Sequence, residues 1–256
     1  HNKYGSLDWE ELLYPSILLS KYGFNLDYNN VSLLNSHKYK LKLSSDIETK
    51  KMFTKDSNFI IGELFIQKDL SETLTRIANY GYKEFYFGET ADKILDCMNR
   101  TGGIITSDDL ESYKPVEKQP ITFNYREFNI HSMPLPSSGG ITLANILNQI
   151  ENIDIASLGF HSTEHIHYMA EAERRAYSDR ATYLGDENFI DVPVEILISK
   201  EYALSRFNSI NSNSATNSFD IYKDNVSFDD KSEETTHYSV IDSFGNAVSV
   251  TRTLNG

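Results

Sequence analysis

Four groups of residues in this chain have the types and spacing to do chemistry. The first is built on Thr235, in the run Glu233-Glu234-Thr235-Thr236-His237-Tyr238-Ser239-Val240, where a long polar stretch gives way to a hairpin pattern. Were the Glu234–Thr235 bond cut, Thr235 would carry a nucleophile and an amine base on one residue, a recognised way to activate a hydroxyl. Thr253 lies on the partner strand of the same hairpin pattern. Depending on register, its hydroxyl reaches that of Thr235 across the two strands. A threonine that ends a linker and begins a strand is, in most proteins, nothing more.

The second group is His161, His165 and His167, with His237 far along the chain. Residues four apart on a helix would show both imidazoles of His161 and His165 to one zinc ion. No glutamate stands in the metalloprotease position between them and no further ligand follows at metal spacing, so cap or surface histidines are the expectation and no metal is assigned. The third is Met133-Pro134-Leu135-Pro136-Ser137-Ser138-Gly139-Gly140, which runs into a helix whose first N–H groups could face an anion. It lacks the Gly-Lys-Ser/Thr of a P-loop, and a structural turn is the simpler reading. The fourth is Glu171, Glu173, Asp179 and Asp186 beside Arg174, Arg175 and Arg180. At three- and four-residue spacing these read as surface ion pairs of a helix rather than as a general acid–base pair.

The elements that would position them alternate between helix and short strand. Leu7–Tyr22 is predicted helical, with Trp9, Leu12, Leu13, Ile17 and Leu18 at helical spacing and Gly23 as its stop. Tyr28–Leu43 is a weaker helix. Leu70–Tyr80 after Asp69 and Ala91–Arg100 before Gly102-Gly103 are two more, with Phe85-Tyr86-Phe87-Gly88 as the break between them. Ser107 is expected to cap a short helix at Asp108-Asp109-Leu110. The character changes at Ile121: Ile121–Tyr125 and Glu127–His131 read as strands joined by a tight turn, and Ile141–Ile150 as a helix. Ser162–Leu184 is the longest helix, with Ile166, Met169, Ala170, Ala172, Ala176 and Tyr177 as its apolar stripe. Asn208–Glu234 is Asn/Ser/Asp-rich and reads as a mobile, protease-accessible linker. A hairpin follows: His237–Asp242, a turn at Ser243-Phe244-Gly245-Asn246, then Ala247–Leu254.

Composition removes some functions. A net charge of −13 leaves no basic surplus for a phosphate backbone or an anionic membrane. No apolar run approaches the ~18 residues that a membrane span needs. The single cysteine, Cys97, excludes an internal disulfide, and its place on an amphipathic helix suits buried filler better than a nucleophile. The chain begins at His1 and ends at Asn255-Gly256 directly after an apolar strand, so both ends read as cut.

Several of these segments together resemble the γ-glutamyltranspeptidases. Thr235-Thr236-His237-Tyr238-Ser239-Val240-Ile241-Asp242, Gly245-Asn246-Ala247-Val248-Ser249-Val250-Thr251 and Thr253-Leu254-Asn255 look like that family's processing site and first small-subunit strands. Met133–Gly140 looks like its Pro-Ser-Ser-Gly-Gly loop. Met169–Arg180 with Tyr183-Leu184-Gly185-Asp186 is similar to its long helix, and Gly103–Leu110 with Tyr113 fits as well.

The resemblance implies an α+β chain from a four-layer α-β-β-α N-terminal-nucleophile hydrolase sandwich, made as a precursor that cuts itself. Residues 1–234 would be the C-terminal part of the large subunit, with 208–234 a flexible linker, and 235–256 the start of the small one. By position, Thr235 would be attacker and then catalytic nucleophile, Thr253 its orienting partner, Asn255 a holder of the donor's α-amino group, and Glu234–Thr235 the cleaved bond. No cofactor is implied. Partners would be glutathione-like γ-glutamyl donors, amino acid or peptide acceptors, and the rest of its own two subunits. The compartment would be periplasmic or extracellular. The family's donor-gripping arginine lies before the matching stretch and its oxyanion-hole residues after it, so these residues alone are expected to be inactive. Two relatives of the same fold are alternatives, an acylase and a poly-γ-glutamate transpeptidase. A third is a non-catalytic remnant serving as a binding or structural module, and a fourth makes Thr236 rather than Thr235 the new terminus.

Overall fold

The structure is a computed structural model that describes residues 1–44, 46–221 and 235–253, and for Thr235 and Thr253 the backbone alone. It divides into two compact units, His1–Val116 and Glu117–Gly256.

In the first unit, α1 (Trp9–Tyr22) stops at Gly23, whose φ of 84° suits a residue without Cβ. It packs along α5 (Lys68–Tyr80). Trp9 Nε1 donates to the Ile77 carbonyl at 3.0 Å, which lets a large ring pack without stranding its N–H. Between them β1 (Phe24–Asn25) pairs with β2 (Leu64–Phe65). The expected helix over 28–43 is two, α2 (Tyr28–Ser36) and α3 (Lys38–Lys42), interrupted at His37.

A further helix, α4 (Ile47–Phe53), was not expected from periodicity. Its signal is local: the Asp46 carboxylate accepts from the backbone N–H and hydroxyl of Thr49, both at 2.8 Å. The expected break at Phe85–Gly88 is itself helical, α6 (Tyr82–Phe87), followed by α7 (Glu89–Thr101). Buried Glu84 joins the two, accepting from Thr90 N–H, Thr90 Oγ1 and Arg76 Nε at 2.9–3.1 Å. Cys97 is half-buried on α7. The cap of α8 (Ser107–Ser112) is Thr106 rather than Ser107. Thr106 keeps extended backbone and exchanges hydrogen bonds with Asp109, three residues on, the geometry a capping box requires.

In the second unit, β3 (Ile121–Tyr125) and β4 (Phe128–Ser132) form an antiparallel hairpin in which Tyr125 faces Phe128. Then come α9 (Gly139–Ile150), α10 (Thr163–Tyr183), α11 (Val194–Leu197), α12 (Lys200–Phe207) and α13 (Ser218–Ile221). The last pair of strands is β5 (Thr235–Ile241) and β6 (Ala247–Thr253). Leu135, Ile141 and Leu197 form the core, with Ile121, Leu184, Val192, Val194, Ile198 and Tyr202 packed on it.

α9 is the central helix, against α10 and α12. Ala144 on α9, Ala172 and Ala176 on α10, and Ala203 on α12 are all essentially inaccessible to solvent. Side chains this small let the helix axes approach closely. Several of its polar residues are buried too: Asn145 donates to Asp179 at 3.0 Å, and Asn148 to the Ile198 carbonyl at 2.8 Å, while Thr142 Oγ1 and Gln149 Oε1 are buried without a partner among the described residues. Among the described residues no helix is long and apolar enough to cross a membrane.

A Cβ on Gly140 would lie 2.3 Å from the Met133 carbonyl oxygen and 3.2 Å from the Ile121 side chain. Gly140→Ala therefore forces the β4–α9 connection outward. The expected cost is about 1–3 kcal/mol, the usual penalty of overpacking, read as a lower urea midpoint; an unchanged midpoint would count against this close approach.

Candidate active site

The hairpin that carries both threonines is held in register by its turn. Asp242 N–H donates to the Asn246 carbonyl at 3.1 Å, and the Asp242 carboxylate collects the Phe244 and Asn246 N–H groups, each at 2.9 Å, with Asn246 Nδ2 at 2.8 Å. The Asn246 side chain, then these backbone donors, hold the Asp242 carboxyl below its usual range. Gly245 supplies the positive φ of 85° that closes the turn. The register then runs from Ile241 opposite Ala247 to Thr235 opposite Thr253. Of the alternatives that hairpin periodicity left open, this is the one that pairs the two threonine positions.

Strand alternation puts positions 235, 237 and 239 on one face with 253, 251 and 249. That face is polar. His237 Nδ1 and Thr251 Oγ1 are 2.7 Å apart, His237 Nε2 and Ser249 Oγ 3.1 Å, and the Ser239 and Ser249 hydroxyls 2.8 Å. The other face carries Tyr238, Val240 and Val248, each more than half exposed. Glu234 and Asn255, expected at the cleaved bond and the donor's amino group, lie outside the described residues.

The remaining sequence candidates fall into place away from any shared centre. His161 is not on the helix: it sits at φ 60° in the turn before Ser162, the N-cap of α10, and stacks on Phe160 with ring centroids 3.8 Å apart. The two-histidine helix face therefore does not form. In the loop at 133–140, Lys118 Nζ donates to the Leu135 carbonyl at 2.8 Å, and Arg180 Nε to Ser138 Oγ at 2.9 Å.

The expected ion pairs at three- and four-residue spacing form on α10, Arg174 and Arg175 with Glu171, but they are not on the surface. Glu171 and Arg175 are among the most buried side chains of the unit, and Asp179 is buried as well. Glu171 Oε2 accepts from Arg175 Nη1 and from Thr216 Oγ1, both at 2.6 Å. Its Oε1 accepts from Arg174 Nη1 at 2.5 Å and Thr216 N–H at 3.2 Å. Burial pushes the Glu171 carboxyl up, but these donors outweigh it and bring it down to about 2. For Asp179 burial wins over Arg206, Tyr202 and Asn145, and its pKa is raised.

Of the expected apolar stripe Ala172 and Ala176 are buried, but Ile166 and Tyr177 are half exposed, and the polar positions 171, 175, 178 and 179 are buried in their place. The reason is that residues 209–221 return along α10. Arg175 donates to Ser209 Oγ and carbonyl, each at 2.8 Å, and Ser178 Oγ to the Ile221 carbonyl at 3.1 Å. The stretch from Asn208 to Ile221, read as the first half of a mobile linker, is bound to the helix instead. Residues 222–234 of that expected linker lie outside the described residues. Ser209 and Thr216 went unnoticed because no local pattern marks a loop that satisfies a buried carboxylate. The polar positions 167, 171, 174, 175 and 178, at helical spacing, were the one available signal.

Comparison with solved structures gives the class first. The chain superposes on the γ-glutamyltranspeptidase of Helicobacter pylori with a TM-score of 0.81 and 39% identity, over 85% of this chain and 62% of that one. The α+β class and the γ-glutamyltranspeptidase fold expected from the sequence are thus shown. The family model described as Gamma-glutamyltranspeptidase matches residues 1–256, and the chain belongs to that family.

Among relatives, a glutathione hydrolase proenzyme of Escherichia coli (strain K12) is 40% identical over 255 residues, 99% of this chain and 44% of the relative. The Acylase ACY 1 proenzyme of Pseudomonas sp. (strain V22) is 34% identical over 254 residues, again 99% and 44%. The chain spans less than half the length of these curated relatives.

Glu171 makes stability depend on acid in a definite direction. Its folded pKa of about 2 is below the ordinary 4.5. Its contribution is therefore complete above pH 4.5 and lost as pH falls toward 2. Urea unfolding followed from pH 7 downward should show this loss, and Glu171→Gln should flatten that part of the profile while lowering stability at pH 7. An equally steep profile in the variant would mean that Glu171 is not the group responsible.

Proposed function

We propose that these residues are the processing segment of a γ-glutamyl-transferring enzyme, in which Thr235 is first the self-cleaving residue and then the catalytic nucleophile. The observation that carries the reading is the register: β5 begins at Thr235, and its cross-strand partner is Thr253. In an antiparallel pair, residues at such positions lie about 4.5–5.5 Å apart at Cα, close enough for one hydroxyl to orient the other.

In the first step the Thr235 hydroxyl attacks the Glu234 carbonyl. The C–N bond is exchanged for an ester C–O bond, and water hydrolyses that ester to free the Thr235 amine and hydroxyl. In turnover the amine takes the hydroxyl proton as Oγ1 attacks the donor's γ-carbonyl, and the proton passes to the departing amine. Water or an acceptor amine then attacks the γ-glutamyl ester and restores the threonine. Thr253 orients the nucleophile, and Asn255 holds the donor's α-amino group. The donor class is glutathione-like, and the acceptor is water, an amino acid or a peptide. No step calls for a cofactor.

Residues 1–234 would then belong to the large subunit and 235–256 to the small one, a division set by chemistry and distinct from the boundary between the compact units. The rest of the two subunits would complete the donor's carboxylate clamp and the oxyanion hole. A periplasmic or extracellular site of action goes with this reading. The acylase relative supports a second one, in which the same threonine machinery takes a different acyl donor.

The test uses a precursor that holds these residues together with the parts its relatives add. Thr235→Ala should leave one uncut polypeptide and abolish release from a γ-glutamyl anilide. Thr253→Ala should lower kcat/KM about 10–100-fold, the worth of one hydrogen bond to a group that develops charge. An uncut, inactive parent would sink the proposal and favour a binding module. Cleavage at Thr235 with turnover of a glutaryl or polyglutamyl donor but no γ-glutamyl anilide would favour the relatives of altered donor.

A further inference from the structure

His237 shares a face with the threonine pair, yet it has no part in the steps just proposed. Positions 235, 237 and 239 of β5 stand opposite 253, 251 and 249 of β6, so His237 is the next residue on that face after the proposed nucleophile. Its imidazole applies both nitrogens to the opposite strand. Nδ1 is 2.7 Å from Thr251 Oγ1, directly across, and Nε2 is 3.1 Å from Ser249 Oγ, on the diagonal. Ser239 joins the same group, 3.3 Å from Nε2 and 2.8 Å from Ser249 Oγ.

Two features show what this ring contributes. It is exposed, so its part in the hairpin is the hydrogen bonds it makes rather than apolar burial. It also spans two register positions of β6 at once. A hydroxyl both donates and accepts, so Thr251 and Ser249 satisfy the two nitrogens in either tautomer. A slip of one residue would turn the ring to the face of Tyr238 and Val240 and break both bonds. The turn at Asp242–Asn246 thus fixes the register from one end of the hairpin, and His237 fixes it beside the threonines.

We infer that His237 is a positioning residue that keeps Thr235 opposite Thr253 once Thr235 has become a chain terminus. The inference rests on the proposed cleavage before Thr235. Before the cut, peptide bonds tether Thr235 on both sides. Afterwards it is the first residue of a chain and the last rung of its ladder. The first residues of a chain fray unless something ties them down. The neighbouring rung is tied by side chains, through His237 and Thr251, as well as by backbone. A nucleophile misplaced by about 1 Å can lose about 100-fold in rate, so fraying too slight to unfold the hairpin is visible in turnover.

The test uses the complete protein with His237→Phe, which keeps a ring and loses both hydrogen bonds, and His237→Asn, whose amide takes the place of Nδ1. In the cleaved enzyme His237→Phe should lower kcat for a γ-glutamyl anilide about 10-fold or more, with KM changed less than about twofold. Deuterium uptake by the peptide that starts at Thr235 should speed up. Precursor cleavage, in which Thr235 is still tethered on both sides, should slow by less than turnover does. His237→Asn should recover most of the lost kcat. Thr251→Val should act like His237→Phe, and the double variant should be little worse than His237→Phe alone, because both remove the same bond. Should His237→Phe fail to fold, Thr251→Val carries the same comparison of turnover with self-cleavage.

Parental kcat in cleaved His237→Phe would overturn the inference and leave the proposed function standing. So would a lowered kcat with unchanged deuterium uptake, or additive losses in the double variant. Self-cleavage slowed as much as turnover would mean a general folding defect, and also overturns it. A parent that neither cuts at Thr235 nor releases the anilide would remove the proposed function, and the inference with it.

Discussion

A carboxylate taken out of water governs the second unit. Glu171 is nearly inaccessible to solvent on α10. An unpaired buried charge costs several kcal/mol, and the structure meets that demand with Arg174 and Arg175 from the same helix and Thr216 from a returning loop. Those partners bring their own requirements. Arg175 has donors left over, which take Ser209 and Thr216, and the loop is thereby tied at two points to a helix it would otherwise leave. Residues 208–221, polar and without an apolar pattern, are held by the hydrogen-bonding groups they offer to α10, with Ile221 buried at their end.

The opposite side of α10 shows the complementary solution. Ala172 and Ala176 face Ala144 on α9, and in the space left by such small side chains the amides of Asn145 and Gln149 find partners in Asp179 and the Ala172 carbonyl. A helix surface without long side chains leaves the Ala172 carbonyl within reach of the Gln149 amide. The hairpin works on a different principle. Its register is set from the turn outward, by Asp242 and Gly245, and a slip of one residue would transfer Thr235 to the face of Tyr238 and Val240. The two threonines are strand partners through a turn seven residues from each of them.

Much of this was legible in the chain. Gly23, Gly81 and Gly102 end their helices as glycine stops should, and the β3–β4 and β5–β6 hairpins fall where alternation and turn residues put them. The ordered motifs around Thr235, the loop at Pro134–Gly140 and the helix at Met169–Arg180 were enough to point to the family. Less legible were the short elements. α4 and α6 are too brief for an apolar period to declare itself, and Thr106 outcompeted Ser107 as cap because only it stands three residues before the acid that completes the box. The buried face of α10 was not legible for a stronger reason: polar residues at helical spacing look the same whether the face they form meets water or another piece of chain.

The sequence by itself determined the family, the helix ends, the hairpins and the identity of the nucleophile candidate, because these depend on residues close together in the chain. Glycine conformations, caps, strand alternation and a contiguous motif are all local. Only the tertiary structure decided which face of α10 is buried, that Glu171 and Arg175 are interior, and that residues 209–221 are bound rather than free. Those outcomes turn on a loop meeting a helix some forty residues earlier in the chain, and the energy of a buried charge is set by whatever donors the fold brings to it.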